Sequence, residues 1–491
     1  MDSTDVLICG AGAAGLTLAL DLARSGIDFR VIDKSATPFG GSRGKGIQPR
    51  SLEIFEDLGV LEAMAAIGGP YPPFRNYRGD GYTDADFVET RPSTPAEPFP
   101  RPLMLPQYLI EAVLREKLTE SGHAPQFSSE LIGFTQDSRS VVARIETPDG
   151  VETIHARFLV GADGGRSLVR HALDIGFPGE TLPGRGLVAD VMLEGLSRDI
   201  SHRWNADRPF EQILLFPLAG TDLFQFQAPV PADGEIDTSA PGLERLIAER
   251  SGRTDIHVRA VHWSSVFGMN MRVADRYRME RVLLAGDAAH VHPPTGGQGL
   301  NTSIQDSYNL GWKLAAVLRG APDTLLDIYE AERRPIALSV LQLTLAFLRA
   351  AQRGDMRRGR EAHEMDLGYF DSPLSRDFRA VPGKLKPGAR APDAHGQARV
   401  GTPVRLFDLF RGPHWTLMQY GAAMSQPLPV DGAVRSIVVG ANGDIRDSDG
   451  FVASAYGLNG GDSVLVRPDG YIGAFFAAGQ ETALKRYLAQ F

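Results

Sequence analysis

The stretch from Asp5 to Gly15, DVLICGAGAAG, restricts the fold more than any other part of the chain. Val6 to Cys9 is an apolar run of strand length. It meets Gly10-x-Gly12-x-x-Gly15, and an apolar helical pattern follows from Leu16 to Ala23. A second strand, Phe29 to Ile32, ends at Asp33, 23 positions after Gly10. Strand, glycine turn, helix, strand and acid in this order form a dinucleotide-binding βαβ unit. Gly10 permits the turn, Gly12 lets a pyrophosphate approach the backbone, and Gly15 lets helix and strand pack. Asp33 is placed to accept hydrogen bonds from ribose hydroxyls.

Two further strand tips end in the same way. Phe158 to Gly161 runs into Ala162-Asp163-Gly164, and Arg166 to His171 opens a helix. Val282 to Ala285 runs into Gly286-Asp287, followed by a Pro- and Gly-rich loop from His292 to Gly299. A helix then begins, with Leu300, Ile304, Leu310, Leu314, Val317 and Leu318 at helical spacing. A bare turn needs one or two glycines, yet this loop has Gly296, Gly297 and Gly299. Backbone amides are therefore expected to approach a ligand there, beside a helix N-terminus that favours negative charge. In doubly wound sheets ligands lie outside the carboxyl ends of the strands. Asp33, Asp163 and Asp287 thus predict one long, hydroxyl-rich ligand lying across three tips. The loop GGSRGKG from Gly40 is not a phosphate loop, because Phe39 stands where glycine is needed and Gly46 where Ser or Thr is needed. Arg43 in that loop either faces the ligand or is solvated; spacing leaves both readings open.

The expected fold class is α/β: a Rossmann-like unit carrying an inserted, mostly antiparallel sheet, plus a C-terminal α/β unit. Residues 1–175 and 273–370 form the first, discontinuous unit, with 68–102 contributing to the substrate side. Residues 176–272 change from helical period to alternation, as in Leu187 to Leu193, Gln212 to Pro217 and Asp222 to Val230. Trp204, Phe216, Phe224 and Phe226 are candidate pocket walls or plain core. Tyr71, Phe74, Tyr77, Tyr82, Phe87 and Phe99 carry the same ambiguity. The polar, Pro-broken tract from Met356 to Gly388 reads as a linker, with 371–389 as the linker proper. Residues 390–491 form the third unit.

A formal net charge of −9 argues against a nucleic-acid partner. The single cysteine, Cys9, excludes an intramolecular disulfide and lies in an apolar strand. His290 and His292 lack a third ligand in any recognisable spacing, so no metal is expected. The N-terminus shows no signal peptide, and the most apolar helical stretch, Ile336 to Leu348, is too short to span a bilayer. A cytoplasmic protein without a membrane partner, monomeric or homodimeric, is the expectation.

The glycine triplet, Asp163-Gly164 with Arg166, Ser167 and Arg170, and Gly286-Asp287 with His290, Pro293, Gly296, Gly297, Gly299 and Asn301 together resemble the group A FAD-dependent aromatic hydroxylases. These are flavoprotein monooxygenases of the para-hydroxybenzoate hydroxylase type. Pro294 to Lys313 resembles the branch of phenol hydroxylases and polyketide-tailoring hydroxylases, whose C-terminal thioredoxin-like domain residues 390–491 also resemble. That likeness implies no disulfide chemistry, because no Cys-x-x-Cys exists here. The resemblance implies FAD as cofactor, NADH or NADPH as transient co-substrate, and oxygen transfer from a C4a-hydroperoxyflavin to an electron-rich ring. It implies that Gly12, Ala13, Ala14 and Gly15 meet the pyrophosphate, and that Asp33 and Lys34 meet the adenosine half. Arg43, Gln107 and Leu131 would lie along the ribityl–phosphate stretch. Asp163, Gly286 and Asp287 would hold the ribityl or phosphate part, and Pro294, Gly297, Gly299, Leu300 and Asn301 the isoalloxazine edge. Arg43 and Pro293 are the flavin-proximal candidates for a catalytic part, and no residue stands out as a base. The weakly charged, aromatic insert favours a bulky polycyclic phenol. Baeyer–Villiger insertion and a non-catalytic flavin-bound binding protein remain alternatives. The Phe-x-Gly…His mark of dedicated Baeyer–Villiger flavoproteins fails at Pro183, and no Trp-x-Trp of the halogenases is present.

Overall fold

Val6, Leu7 and Ile8 are fully buried in succession, so the strand Asp2–Cys9 is covered on both faces. That is the signature of a central parallel strand. The computed structural model describes residues 2–86, 88–89, 91–293, 296–421 and 433–490. Phe87 and Pro294 lie outside the described residues. In the first sheet Val282–Leu284, Gly150–Gly161, Asp2–Cys9 and Phe29–Ile32 lie side by side, all parallel. Their carboxyl ends therefore share one edge, and Asp33, Asp163 and Asp287 follow three of those ends. Helices Ala13–Arg24, Gln107–Glu120 and Gly299–Leu318 pack together over this sheet. Gly311 permits the closest approach between them, since a Cβ there would lie 2.2 Å from the Asp21 carboxylate.

The second sheet has eight strands. Its centre is the long antiparallel pair Gly179–Glu194 and His257–Val273. Phe224–Val230, Ile213–Pro217 and Ser201–Trp204 continue it, and the hairpin Phe74–Arg78 and Gly81–Ala85 completes one end. The 68–102 segment thus joins the inserted sheet, through a parallel pairing with Ser201–Trp204. Alternation along each strand sorts its side chains by face. Trp204, Phe224 and Phe226 pack with Leu243 and Ile247 of helix Ala240–Ser251 on the far face. Phe216 lies on the opposite face with Phe74, Met104 and Leu214. All four candidate pocket walls are buried; Phe216 differs from the other three in lying on the opposite face of the sheet. Helix Ala240–Ser251 interrupts a region read as strands. Its signals were Ser239, which caps the Gly242 N–H at 3.3 Å, and Gly252 at φ +71°, which stops it.

The third sheet places Trp415–Tyr420 between a parallel neighbour, Val434–Val439, and an antiparallel one, Ser463–Val466. Ile472–Phe476 pairs on beyond, and Arg376–Asp377 is its last strand on that side. The tract read as a linker is therefore structured. Ala362, Met365, Tyr369 and Leu374 are buried, and Arg376–Asp377 adds a strand. Polar composition misled because these four apolar residues reach the core, while Phe370 and Val381 stay exposed.

The apolar stretch from Ile336 belongs to a 28-residue helix, Leu325–Gln352, long and apolar enough to cross a membrane by length and composition. Its buried face carries Glu332 and Arg333, both paired inside the protein. Arg467 of the third unit meets both Glu332 carboxylate oxygens, at 2.6 and 2.9 Å, and Lys313 meets one at 2.8 Å. These fully buried charges latch the C-terminal unit to the helical layer.

Candidate functional site

A groove of about 720 Å³ runs along the shared edge of the parallel strands. That lies within the roughly 300–1,000 Å³ usual for cofactor clefts. At its first end, Gly10 turns the chain at φ +113°, and a Cβ there would sit 2.2 Å from the Ala162 carbonyl oxygen. Gly15 is equally constrained, since an added Cβ would lie 1.9 Å from the Gly10 carbonyl oxygen, and it packs behind the groove rather than lining it. Gly12 has an ordinary φ of −81° and only Glu111 within reach of a Cβ, at 3.7 Å. Nothing in the fold requires its bareness. Ala13 and Ala14 open the helix there and line the groove.

Asp33 accepts the Ala11 N–H through one carboxylate oxygen and the Ser35 N–H through the other, both at 2.8 Å. This fixes the carboxylate at the groove wall beside Lys34. Gln107 accepts the Gly44 N–H at 3.2 Å and donates to Glu111 at 2.8 Å; Glu111 accepts the Ala13 N–H at 3.2 Å. Burial pushes the Glu111 carboxyl up, and its second oxygen is buried with no protein partner. The Gln107–Glu111 spacing puts both on one helix face, a signal the sequence did carry. Leu131 lines the same end.

Asp163 accepts the Val169 N–H at 3.1 Å through one oxygen and lines the groove, while its other oxygen is buried without a partner. Asp287 is open to the groove. Gly286 stands behind it at φ +61°, where a Cβ would crowd Ala14 and Ser303 at 3.0–3.2 Å. The tip is held by Asp306, which accepts the Gly286 N–H at 3.2 Å, pairs with His290 at 2.6 Å and with Arg333 at 2.7 Å. Burial alone would raise the Asp306 carboxyl; His290 and Arg333 outweigh it and hold it below its usual range. His292 stacks on His290 at 5.9 Å between ring centroids, and burial with its neighbour lowers its pKa to about 3. It is a neutral groove wall. No cluster of three His, Cys, Asp or Glu suited to a metal occurs among the described residues.

At the far end Gly297, Gly299 and Leu300 line the groove. Gly296 holds the loop against Phe347, since a Cβ would lie 2.5 Å from that ring. The helix Gly299–Leu318 has no side-chain cap, leaving its first N–H groups for a ligand. Asn301 is fully buried and works from behind: it accepts the Gln48 N–H at 2.8 Å and donates to Gly46 at 3.0 Å and Gly297 at 2.8 Å. Pro293 is buried and does not line the groove. Arg43 is exposed on the groove wall, its guanidinium 5.0 Å from the Phe39 ring centroid. Trp263, on the long strand of the inserted sheet, meets Phe39 edge-on and packs over Gly41. The inserted sheet thus closes over the Arg43 loop.

A family model described as a FAD binding domain matches residues 3–344. The chain belongs to the FAD-dependent aromatic hydroxylases. A flavin-dependent monooxygenase of Mycobacteroides abscessus is 41% identical over 99% of both chains. A rifampicin monooxygenase of Rhodococcus hoagii is 34% identical, over 96% of this chain and 94% of that one. Among solved structures, aklavinone-11 hydroxylase in complex with FAD and aklavinone superposes with TM-score 0.82 at 28% identity, over 100% and 99% of the two chains. FAD is the cofactor of this hydroxylase, and the groove fits it. A bare Gly12 opens beside a helix N-terminus, three carboxylates are spaced along one edge, and the buried free oxygen of Asp163 awaits a donor.

Proposed function

We propose that this hydroxylase oxidises a bulky polycyclic phenol, with NADPH or NADH as reductant and molecular oxygen as oxidant. The observation that carries the reading is continuity: the groove lined by Asp33, Asp163 and Asp287 also reaches Gly297, Gly299 and Lys45. Lys45 in turn lies against Phe216 on the front face of the inserted sheet. The aklavinone named with the aklavinone-11 hydroxylase structure and the rifampicin named for the Rhodococcus relative support this reading.

When bound, FAD supplies the electron transfer and oxygen-transfer chemistry. The chain positions and shields. Asp33 would hold the adenosine ribose, the Gly12–Ala14 amides the pyrophosphate, and Asp287 the ribityl chain. The uncapped N-terminus of helix Gly299–Leu318 would favour negative charge on the ring by about 1–2 kcal/mol. Phe74, Met104, Leu214 and Phe216 give an apolar front that excludes water. The mixed parallel and antiparallel third sheet supports a thioredoxin-like reading of residues 390–491, without redox cysteines. Charges buried and paired on helix Leu325–Gln352 support its reading as a core element rather than a membrane span.

The test is aerobic turnover of the FAD-loaded protein with NADH and NADPH over a panel of phenols and polycyclic polyketides. Substrate-stimulated nicotinamide oxidation with a product one oxygen atom heavier is expected, and NMR distinguishes ring hydroxylation from ester formation. No stimulated oxidation across the panel would overturn the proposal. Arg43→Ala should weaken FAD about 10- to 100-fold, the worth of one charge-assisted hydrogen bond. Flavin fluorescence titration reads that loss, and unchanged affinity removes Arg43 from the site. The two faces of the sheet separate by mutation. Phe216→Ala should raise KM or alter substrate choice, whereas Phe224→Ala should cost about 3–5 kcal/mol of stability with KM little changed. Equal kinetic effects from both would contradict the facing assigned here.

A further inference from the structure

We infer that Lys45 is the substrate base of this hydroxylase: its amine takes the proton from the ring hydroxyl that activates the substrate and then pairs with the phenolate. The inference rests on the phenol-hydroxylating reading above.

Lys45 stands where the cofactor groove meets the front of the inserted sheet. It lines the groove and is half-buried, and its Nζ lies 3.8 Å from the Phe216 ring centroid. It donates one hydrogen bond, to Gln225 at 2.5 Å. Every other member of the polar chain behind it is committed. Gln225 accepts from Gln227 at 2.6 Å and donates to both the Ser42 carbonyl and the Ser42 hydroxyl. Ser42 donates its hydroxyl and its N–H to the two carboxylate oxygens of Asp190. Asp190 is fully buried and does not line the groove. Of the hydrogen-bonded set Lys45, Gln225, Ser42 and Asp190, the Lys45 nitrogen lines the groove and keeps capacity toward the ligand space.

Its protonation suits the task. Burial lowers the ammonium to about 7, against a weaker opposing pull from Asp190. The other titratable groups around it are Tyr71, which donates to the Lys45 carbonyl at 3.2 Å, and His262, which acts on Asp190. Arg43, Glu111 and Asp287 line the groove beyond. The strands that bear Gln225 and Phe216 contribute no charge of their own. Near neutral pH the amine is therefore substantially unprotonated and can accept a proton, the condition for efficient general-base work.

The step balances. The phenol O–H bond breaks, a Lys45 N–H bond forms, and the electron pair stays on the ring oxygen. That phenolate raises electron density in the ring, which then receives the oxygen atom. When the ring sheds its C–H proton to water and regains aromaticity, the original oxygen recovers its proton from the Lys45 ammonium, which returns the amine to its starting state.

The experiment compares wild type, Lys45→Met, Lys45→Gln and Lys45→Arg as full-length, FAD-loaded protein. Flavin content and melting temperature first establish folding and loading. The bound ionisation of p-nitrophenol and of rifampicin is then titrated by absorbance, since phenolates absorb at longer wavelength. Wild type should bind the phenolate at least tenfold better than the phenol at neutral pH, and Lys45→Met and Lys45→Gln should lose that preference. Lys45→Arg should keep phenolate binding but not proton uptake. For kcat, Lys45→Met should lose about 100-fold near pH 7. The loss should shrink as pH rises toward the phenol's own pKa, about 10 for an unactivated phenol. A wild type that hydroxylates, with Lys45→Met matching its bound ionisation and pH profile, overturns the assignment of Lys45 alone. A wild type with neither phenol binding nor stimulated turnover overturns the parent reading and this one together.

Discussion

Gly12→Asp is expected to give a folded, colourless protein. The position tolerates a side chain: φ is −81°, and the nearest atom to an added Cβ is the Glu111 carboxylate at 3.7 Å. Nothing in the fold must move. The added carboxylate would occupy the pyrophosphate cradle and set a second acid against Glu111, whose free oxygen is already buried. Repulsion of a doubly charged pyrophosphate, with loss of backbone approach, predicts at least a thousandfold weaker FAD affinity, about 4 kcal/mol. Purified variant should lack the flavin absorbance, and added FAD should not raise its melting temperature as linkage requires for wild type. Gly10→Ala is the contrast. A Cβ 2.2 Å from the Ala162 carbonyl oxygen, at φ +113°, strains the backbone itself, so that variant should fail to fold. A yellow Gly12→Asp protein with ordinary affinity would mean that FAD does not lie over this turn.

The difference between these two glycines shows what the linear chain could and could not disclose. The turn, its helix and Asp33 sit within a few dozen residues, and each is specified by local chemistry, so they read directly from sequence. The strand tips at Asp163 and Asp287 read as well, because apolar runs ending in Gly-Asp need no distant partner to be recognised. Side-chain facing in the inserted sheet did not. Phe216 and Phe224 sit in strands of equal character, and a shift of one residue exchanges the two faces. Only pairing across the sheet, Phe216 opposite Gln225 and Pro217 opposite Phe224, fixes which side each shows. Lys45 escaped notice for a related reason. From sequence its loop reads only as a rejected phosphate loop, and its hydrogen-bond partner lies 180 positions away. The long helix reads from sequence as Asp323 to about Arg353, close to the observed Leu325–Gln352; what the sequence hides is how Glu332 and Arg333 stay buried on it, which Arg467 and Asp306 explain.

Asp306 makes the strongest case for a residue that acts on the site without touching its ligand. It lies wholly buried and joins three segments: the Gly286 tip, His290, and Arg333 on the long helix. Asp306→Ala leaves the Arg333 guanidinium buried with only the Tyr369 hydroxyl and the Thr302 carbonyl. Breaking a buried pair from one side costs about 3–5 kcal/mol. In a unit of this size that is a fall in melting temperature on the order of 10 °C. FAD should also bind about tenfold more weakly, because Gly286 loses the acceptor that sets the direction of Asp287. The pH dependence gives the prediction its sign. The folded carboxyl is held below its usual value, so its stabilising contribution is complete above the unfolded pKa of about 3.9 and is lost as pH falls through the folded value. The gap between wild type and Asp306→Ala should therefore be constant from pH 8 to about 5 and narrow below about 4. Urea melts across that range measure it. A gap that widens in acid, or a variant as stable as wild type at neutral pH, would show that Arg333 finds its balance elsewhere and that the acid-tipped loop stands without this anchor.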